Sequence, residues 1–269
     1  MEIIEKFIFG KTGNADICED GMVIGDKLIA VVDGATAKGK TLFNGKQSGA
    51  FAREVLCEVL NQEGIEKMKC EELLTKLNDT LRESSEMCHQ DLEYAEYPRA
   101  SVIIYNSCYD EIWCYGDCQC IINGEFYSHE KELDALFSEI RAFNIEASLL
   151  NGESIEASSG NDVGRKAVLE NFQKQVLFEN KSVPFGYSVI NGFGVNYELI
   201  ERHKVKKGDE IVLSSDGYPA LKGSLAESEE ELEKLLRDDP MCFRKYKTTK
   251  GLKEGNFSFD DRCYVRFKA

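Results

Sequence analysis

The feature that most constrains the fold of this chain is the way its hydrophobic period changes along the sequence. Residues 47–61 and 71–92 place apolar side chains at helical spacing. Between residues 100 and 127 the period becomes two, in four short segments joined by short polar links such as Asn123-Gly124. Because such links are too short for a crossover, they predict antiparallel neighbours.

The same alternation of blocks continues to the end of the chain. Helical spacing returns at 131–142 and 162–178. The other predicted strands are 27–33, 187–190, 197–205, 210–215 and 262–267. Strands in runs and helices in runs, without regular βαβ alternation, indicate an α+β fold with helices packed on antiparallel sheets. No shift in composition marks a boundary, so we expect one domain over residues 1–269.

The charge of the chain narrows its function classes. It has 33 Lys and Arg against 48 Asp and Glu in 269 residues, a formal net charge of −15. Such a surface repels nucleic acid and anionic membranes, so a phosphate-binding site would need a local positive source. No signal peptide and no apolar run of about 20 residues is evident, which predicts a cytoplasmic protein. The sequence does not predict an oligomeric state.

Ten cysteines raise the question of a zinc site. The densest group is Cys114, Cys118 and Cys120, but it has no CxxC spacing, and the three histidines of the chain are isolated in sequence. The sequence therefore favours buried, reduced thiols over zinc.

A set of aspartates follows the apolar strands. The candidates are Asp33, Asp117 and Asp216 at strand ends, Asp260 beside Asp261 before the last strand, and Asp16 near the start. Hard cations such as Mg²⁺ and Mn²⁺ select carboxylate oxygens, and carboxylates at neighbouring strand ends can converge. Each aspartate alone is more often a plain turn residue, because Asp-Gly is a common turn dipeptide. The prediction depends on the whole set and its order.

That order resembles the PP2C family of metal-dependent protein phosphatases over most of the chain. The motifs are Asn14-Ala15-Asp16, Ala30-Val31-Val32-Asp33-Gly34, Arg99-Ala100-Ser101, Tyr115-Gly116-Asp117, Ser215-Asp216-Gly217 and Asp260-Asp261. The resemblance implies an antiparallel β-sandwich flanked by helices, in an α-β-β-α arrangement. It also implies hydrolysis of phosphoserine, phosphothreonine or another phosphate monoester by a metal-bound hydroxide. The implied partner is a phosphorylated protein or a small phosphate ester.

The resemblance also implies roles for individual residues. Asp33 resembles the carboxylate that bridges two Mn²⁺ or Mg²⁺ ions, and Gly34 resembles the glycine whose carbonyl reaches one of them. Asp216 and Asp260 resemble the other direct ligands, and Asp117 resembles a ligand of a third, weaker ion.

Two further positions carry over less directly. Asp16 resembles an acidic residue that contacts the ions through water. Lys11 lies where the family often has a phosphate-binding arginine, and it is equally consistent with a solvated surface lysine.

Two departures leave a rival open. Ala15 replaces an expected metal-binding glutamate, and Ala35 replaces a histidine proposed to protonate the leaving oxygen. A slow or selective phosphatase is favoured, because general acid catalysis contributes about 10²–10⁴ in rate and metal-bound water can replace part of it. The first rival is a non-catalytic PP2C-like pseudophosphatase that acts as a binding or regulatory module. The second is an acidic α+β interaction protein whose aspartates lie at unrelated turns.

The segment between Asp216-Gly217 and Asp260 carries a helix signal and a run of basic residues. Ser228 and Glu231 form a capping-box pattern that predicts the start of a helix. A basic segment follows it, made of Arg244, Lys245, Lys247, Lys250 and Lys253. A solvated loop is favoured over a basic flap that attracts a phosphorylated partner, because charge runs usually face water.

Overall fold

The computed structural model describes residues 1–37, 39, 41–155 and 162–269. The strands are β1 (Glu2–Phe9), β2 (Asp20–Ile24), β3 (Leu28–Ala35), β4 (Arg99–Asn106), β5 (Glu111–Tyr115), β6 (Gln119–Ile122), β7 (Glu125–Tyr127), β8 (Glu201–Lys204), β9 (Glu210–Ser214) and β10 (Arg262–Lys268). The α-helices are α1 (Ser48–Leu60), α2 (Cys70–Cys88), α3 (Glu132–Leu150), α4 (Val163–Lys174) and α5 (Leu225–Asp238).

The strands form two antiparallel sheets that pack face to face. One sheet has the order β1-β10-β9-β6-β7 and the other has the order β2-β3-β4-β5-β8. Apolar side chains from both sheets fill the space between them, among them Val31 and Ile103 from one sheet and Leu213 and Val265 from the other. The predicted α+β fold, with antiparallel sheets flanked by helices, is confirmed.

Helices cover the sandwich by burying one apolar face each. Phe51 and Leu56 of α1 and Leu73 of α2 pack in one cluster with Val32 and other residues of the second sheet. Helices α3 and α4 pack on each other through a separate apolar cluster. None of the helices in the described ranges combines the length and the apolar character that crossing a bilayer requires.

The structure differs from the predicted elements at three places. Strands β1 and β2 were not predicted from the sequence, because neither carries a long apolar run. Residues 187–190 make only isolated bridges instead of a strand. Helix α5 begins at Leu225, since Ser224 accepts the backbone N–H of Glu227, and the predicted cap Ser228 is buried inside the helix.

The unpredicted strand β2 has a direct effect on the position of acidic residues. It forms a hairpin with β3 in a register that pairs Ile24 with Ile29 and Asp20 with Asp33. The next pairing of β3, with β4, places Ser101 opposite Asp33 on the other side. Asp33 is therefore fixed between two neighbours at one end of the sandwich.

Candidate active site

Four of the predicted aspartates line one cleft of about 620 Å³ at an end of the sandwich. They are Asp33, Asp117, Asp216 and Asp260, and we refer to this site as the aspartate cleft. Gly34 lines it as well. The alternative in which these aspartates lie at unrelated turns is therefore wrong.

Glycine is required at position 34 because helix α1 approaches the strand closely. A Cβ atom on Gly34 would lie 2.2 Å from the backbone oxygen of Gly49 in the first turn of α1. The backbone N–H of Gly34 also donates to the carbonyl of Glu19. The end of β3 is thus held between α1 and the start of β2, directly after Asp33.

A second glycine positions Asp117. Gly116 has a φ of 118°, and a Cβ there would lie 2.2 Å from Cβ of Ser101. This close approach lets the Ser101 hydroxyl donate to a carboxylate oxygen of Asp117 at 2.5 Å. Lys131 adds an ion pair at 2.5 Å on the other carboxylate oxygen. Burial opposes ionisation of Asp117, but Lys131 outweighs it and lowers the pKa of the carboxyl group.

Asp33 and Asp216 differ from their neighbours because no described residue donates a hydrogen bond to either carboxylate. Burial raises the pKa of Asp33 well above its usual range, and the carboxylates of Asp216 and Asp20 add to the effect. Burial likewise raises the pKa of Asp216 to about 7, with repulsion from Asp117 and Asp260. Both side chains are half-buried, and carboxylates without donors in such a place are costly when ionised, so a cation would stabilise this pair.

Asp260 already has cationic neighbours. Lys250 forms an ion pair with one of its oxygens, and Lys11 lies 3.4 Å from the other. Burial opposes ionisation of Asp260, but these two lysines outweigh it and lower the pKa of the carboxyl group. In the described ranges, no three of the cleft carboxylates bring their oxygens within 4.8 Å of one another.

These residues fit Mg²⁺ or Mn²⁺ at Asp33 and Asp216. A hard cation needs only one or two carboxylates and completes its shell with water or phosphate oxygens. The two carboxylates that lack donors supply that minimum, and their repulsion would be relieved by a divalent charge. Asp260 and Asp117 would join such a site only by exchanging a lysine for an ion.

Asp16, predicted to contact the ions through water, does not line the aspartate cleft. Asn14 caps a single 3-10 turn over Ala15–Ile17, and this turn leaves Asp16 exposed and outside the cleft lining. Glu19, three residues later, lines the cleft instead. Asp20 is buried beside it and accepts a hydrogen bond from the Ser215 hydroxyl at 2.5 Å, next to Asp216.

The sequence contained a usable signal for Glu19 and Asp20. Gly25-Asp26 is a turn dipeptide, and a hairpin around it pairs Asp20 with Asp33. Ala15 replaces the expected glutamate, but the site still has a carboxylate in this region because Glu19 lies at its rim.

Lys11 is neither a solvated surface lysine nor a free phosphate ligand. Its ammonium group lies 2.6 Å from Glu19, 2.9 Å from Asp261 and 3.4 Å from Asp260. Burial opposes its charge, but these three carboxylates outweigh it and raise the pKa of Lys11 above its usual range. Lys11 therefore joins Glu19, from the first part of the chain, to Asp260 and Asp261, from the last part, at the cleft wall.

The basic segment divides into two parts. Arg244, Lys245 and Lys247 pair with acidic side chains on the protein surface. Lys250 and Lys253 line the aspartate cleft. The solvated-loop interpretation thus describes the first part only.

Arg165 joins Lys253 in the cleft lining, and no motif in the sequence pointed to it. Neither side chain has a carboxylate within 4.0 Å among the described residues. Burial lowers the pKa of Lys253, and the neighbouring cations Arg165 and Lys250 lower it further. Two cations that repel each other and lack a carboxylate form a local site for an anion.

No histidine among the described residues lines the cleft, and exposed Ala35 stands at its edge. In the described part of the chain, no histidine is therefore placed beside Ala35 to protonate a leaving oxygen.

Comparison with known proteins gives a likeness in structure alone. No protein-family model and no curated protein sequence matches the chain. The catalytic domain of the serine threonine protein phosphatase PstP, solved with 2 manganese ions, matches 97% of this chain and 96% of its own with a TM-score of 0.50 and 14% identity. The serine/threonine phosphatase PstP/Ppp of Mycobacterium tuberculosis matches 99% and 98% with a TM-score of 0.51 and 14% identity. The chain therefore has the fold of the PP2C-type serine/threonine phosphatases.

Proposed function

We propose that this chain is a divergent PP2C-type phosphatase whose single domain hydrolyses phosphoserine, phosphothreonine or another phosphate monoester with the help of Mn²⁺ or Mg²⁺. The observation that carries the proposal is the half-buried pair Asp33 and Asp216, which shares one cleft and receives no hydrogen bond from a described residue. A cation would stabilise such a pair, and the fold supplies the precedent of a phosphatase solved with manganese.

Asp33, Asp216 and the carbonyl of Gly34 would hold the ions, with Asp260 and Asp117 joining as their lysine partners move aside. Bound there, Mg²⁺ or Mn²⁺ would lower the pKa of water to supply a nucleophile and would neutralise part of the phosphate charge. Glu19 would accept hydrogen bonds from waters at the rim, in the place first expected for Asp16.

Arg165 and Lys253 would bind the phosphate group of the substrate. Both line the same cleft as Asp33, and neither is neutralised by a carboxylate within 4.0 Å in the described ranges. A guanidinium can bind two phosphate oxygens at once, whereas an ammonium acts as a point charge. This pair supplies the local positive source that an acidic protein needs for a phosphate ester. It takes the role first considered for Lys11, whose charge is already shared among three carboxylates.

Turnover should be slow, because no imidazole lines the described cleft to protonate the leaving oxygen. General acid catalysis contributes about 10²–10⁴ in rate. An aryl phosphate has a good leaving group and needs little protonation, so it should react faster than an alkyl phosphate.

The test is hydrolysis of an aryl phosphate by the full chain with and without Mn²⁺. We expect turnover that requires Mn²⁺ and is lost in Asp33→Ala and in Asp216→Ala, while Asp26→Ala, a change at an exposed turn outside the cleft, retains it. A phosphoserine or phosphothreonine peptide tested against the aryl phosphate then decides the substrate class. Metal-independent turnover, or turnover that survives both cleft variants, would contradict the proposal.

A non-catalytic binding module is the second candidate, and the lysine pairs favour it. Lys250 on Asp260 and Lys131 on Asp117 already neutralise two of the predicted ligands. If these pairs persist when metal is added, the cleft would bind a phosphorylated partner through Arg165 and Lys253 without cleaving it. Binding of a phosphopeptide without turnover, at any Mn²⁺ concentration, would support this candidate over the first.

A further inference from the structure

A second group of metal-binding side chains lies away from the aspartate cleft, at one edge of the sandwich. Cys114 on β5, Cys120 on β6 and His203 on β8 bring their ligand atoms within 4.8 Å of one another. His203 also belongs to a second group with His129 and Glu201, again within 4.8 Å. The sequence favoured reduced thiols over zinc because the cysteines have no CxxC spacing and the histidines are isolated.

The topology explains how separated residues meet. Strands β5 and β8 are neighbours in one sheet, where Cys114 pairs with Glu201, so Cys114 and His203 share a face. Strand β6 belongs to the other sheet, and Cys114 and Cys120 both lie in the core between the sheets. The sandwich itself therefore brings the two thiols together.

The donor atoms are those that Zn²⁺ prefers. Thiolate and imidazole ligands select zinc, whereas Mg²⁺ and Mn²⁺ prefer oxygen. The Nε2 atoms of His129 and His203 are 3.3 Å apart. Two nitrogens of a tetrahedral site with Zn–N bonds of about 2.0–2.1 Å are separated by roughly 3.3–3.4 Å. The spacing of the two imidazoles matches that of two ligands on one ion, but His129 does not also lie within 4.8 Å of both thiols.

The surroundings of His129 match those of a metal-binding histidine. Its Nδ1 atom lies 2.7 Å from the backbone oxygen of Cys118, so Nδ1–H donates there, and Nε2 faces both His203 and Glu201. A second ring nitrogen held by a carbonyl is the usual support of a zinc-bound imidazole. Glu201, 3.2 Å from the same Nε2, has an exposed side chain, and a zinc ion would take its place beside Nε2.

We propose that Cys114, Cys120 and His203 bind Zn²⁺, and that His129, which lies beside His203 but outside the group formed with the two thiols, moves in as the fourth ligand. We name these four residues the Cys–His cluster. The ion would tie the edge strand β8 of one sheet to β6 of the other. It would also fix the segment between residues 114 and 131, which carries Asp117 and Lys131 into the aspartate cleft. The site is separate from the proposed phosphatase chemistry and does not depend on it.

The test is titration of the metal-free, reduced full chain with Co²⁺, followed by displacement with Zn²⁺. Cobalt bound by thiolates gives a charge-transfer absorption, which the oxygen donors of the aspartate cleft cannot give. We expect one equivalent of Co²⁺ with this absorption, unchanged in Asp33→Ala. Cys120→Ser and His203→Ala should each lose the absorption and weaken binding at least 100-fold, and His129→Ala should weaken it about 10–100-fold.

Two matched variants control for cysteine and histidine content. Cys108→Ser removes an exposed thiol and His89→Ala removes a histidine outside the cluster, so both should titrate like the original chain. If Cys120→Ser fails to fold, His203→Ala provides the test, because His203 is only partly buried. Circular dichroism shows whether the His203→Ala variant is folded. A chain that binds no Co²⁺ with thiolate absorption, or that keeps this absorption in His203→Ala, would overturn the proposal.

Discussion

The aspartate cleft and the Cys–His cluster both draw on residues 114–131 and yet present different donor chemistry. Asp117 and Lys131 serve the cleft, while Cys114, Cys120 and His129 serve the cluster. The cleft collects oxygen donors and lysines at the ends of strands. The cluster collects sulfur and nitrogen donors, with its two cysteines buried between the sheets and His203 partly exposed. Strand direction and sheet position, rather than distance in sequence, decide which kind of cation each site can take.

The two regions also differ in how charge is balanced. In the cleft, lysines neutralise Asp117 and Asp260 and leave Asp33 and Asp216 without a partner. In the cluster, burial keeps the pKa of the Cys114 thiol well above its usual range, and Cys114 donates to Cys120 and lowers the pKa of that second thiol. A divalent ion would therefore relieve repulsion between carboxylates in the aspartate cleft, whereas it would replace thiol protons in the Cys–His cluster.

The first prediction is that phosphatase turnover depends strongly on the aspartate cleft and little on the Cys–His cluster. Asp33→Ala should reduce Mn²⁺-dependent turnover of an aryl phosphate about 10³-fold or more, because it removes the carboxylate at the centre of the cleft. His203→Ala should change turnover by less than about 10-fold, because it touches no cleft residue. Steady-state kinetics of both variants checks this contrast. Equal losses in the two variants would break the separation.

The next effect concerns the backbone that joins the regions. Gly116→Ala should lower the free energy of unfolding by about 3 kcal/mol or more, because a Cβ there would lie 2.2 Å from Cβ of Ser101 at a φ of 118°. Gly124→Ala is the matched control, since it also has positive φ but meets no atom within 4 Å, and it should cost about 1 kcal/mol. Urea denaturation measures both. A Gly116 variant as stable as the Gly124 variant would show that this close approach is unimportant.

A smaller effect tests the anion-binding side of the cleft. Arg165→Ala and Lys253→Ala should each lower kcat/KM for a phosphate ester about 10–100-fold, because each loses a charged hydrogen bond to phosphate. Lys245→Ala, which removes a lysine paired with Asp238 on the surface, should leave kcat/KM within about 2-fold. If Lys245→Ala matches the cleft variants, the charge of the segment acts at long range and not by contact.

The smallest effect is a pH dependence of the metal-free protein. Folding raises the pKa of Asp216 from 3.8 to about 7, so the folded state holds its proton more tightly. The stability from this group is fully present below pH 3.8 and is lost as pH rises towards 7. Relative to Asp216→Asn, the original chain should lose on the order of 1–2 kcal/mol across that window, since solvent in the open cleft screens part of the effect. Thermal unfolding in chelator at several pH values checks the sign, and a difference that grows in the opposite direction would contradict it.

Much of the fold could be predicted because its elements carry strong local patterns. The helical spacing of 47–61 and the hairpin at Asn123-Gly124 correspond to α1 and to the β6–β7 turn. Strands β1 and β2 were missed because edge strands need fewer apolar residues and gain their stability from a partner strand. Local pattern could not reveal that partner.

The residues of the candidate sites likewise divide into those that local sequence patterns predicted and those that they did not. The aspartates at strand ends were found because each ends an apolar run, as Asp33 and Asp216 do. Glu19 was missed because its position depends on the β2–β3 register. The cluster around His203 was missed because its ligands come from two sheets and no spacing in the sequence joins them. Residues brought together by tertiary structure alone leave no periodic signal.

The most direct measurement is a crystal structure of the chain grown with Mn²⁺, with anomalous scattering recorded at the manganese edge. We expect an anomalous peak between the carboxylates of Asp33 and Asp216, within bonding distance of both, and Lys250 displaced from Asp260 if a second ion binds. An empty cleft at millimolar Mn²⁺, with Lys250 and Lys131 still on their aspartates, would show that the cleft is not a metal site.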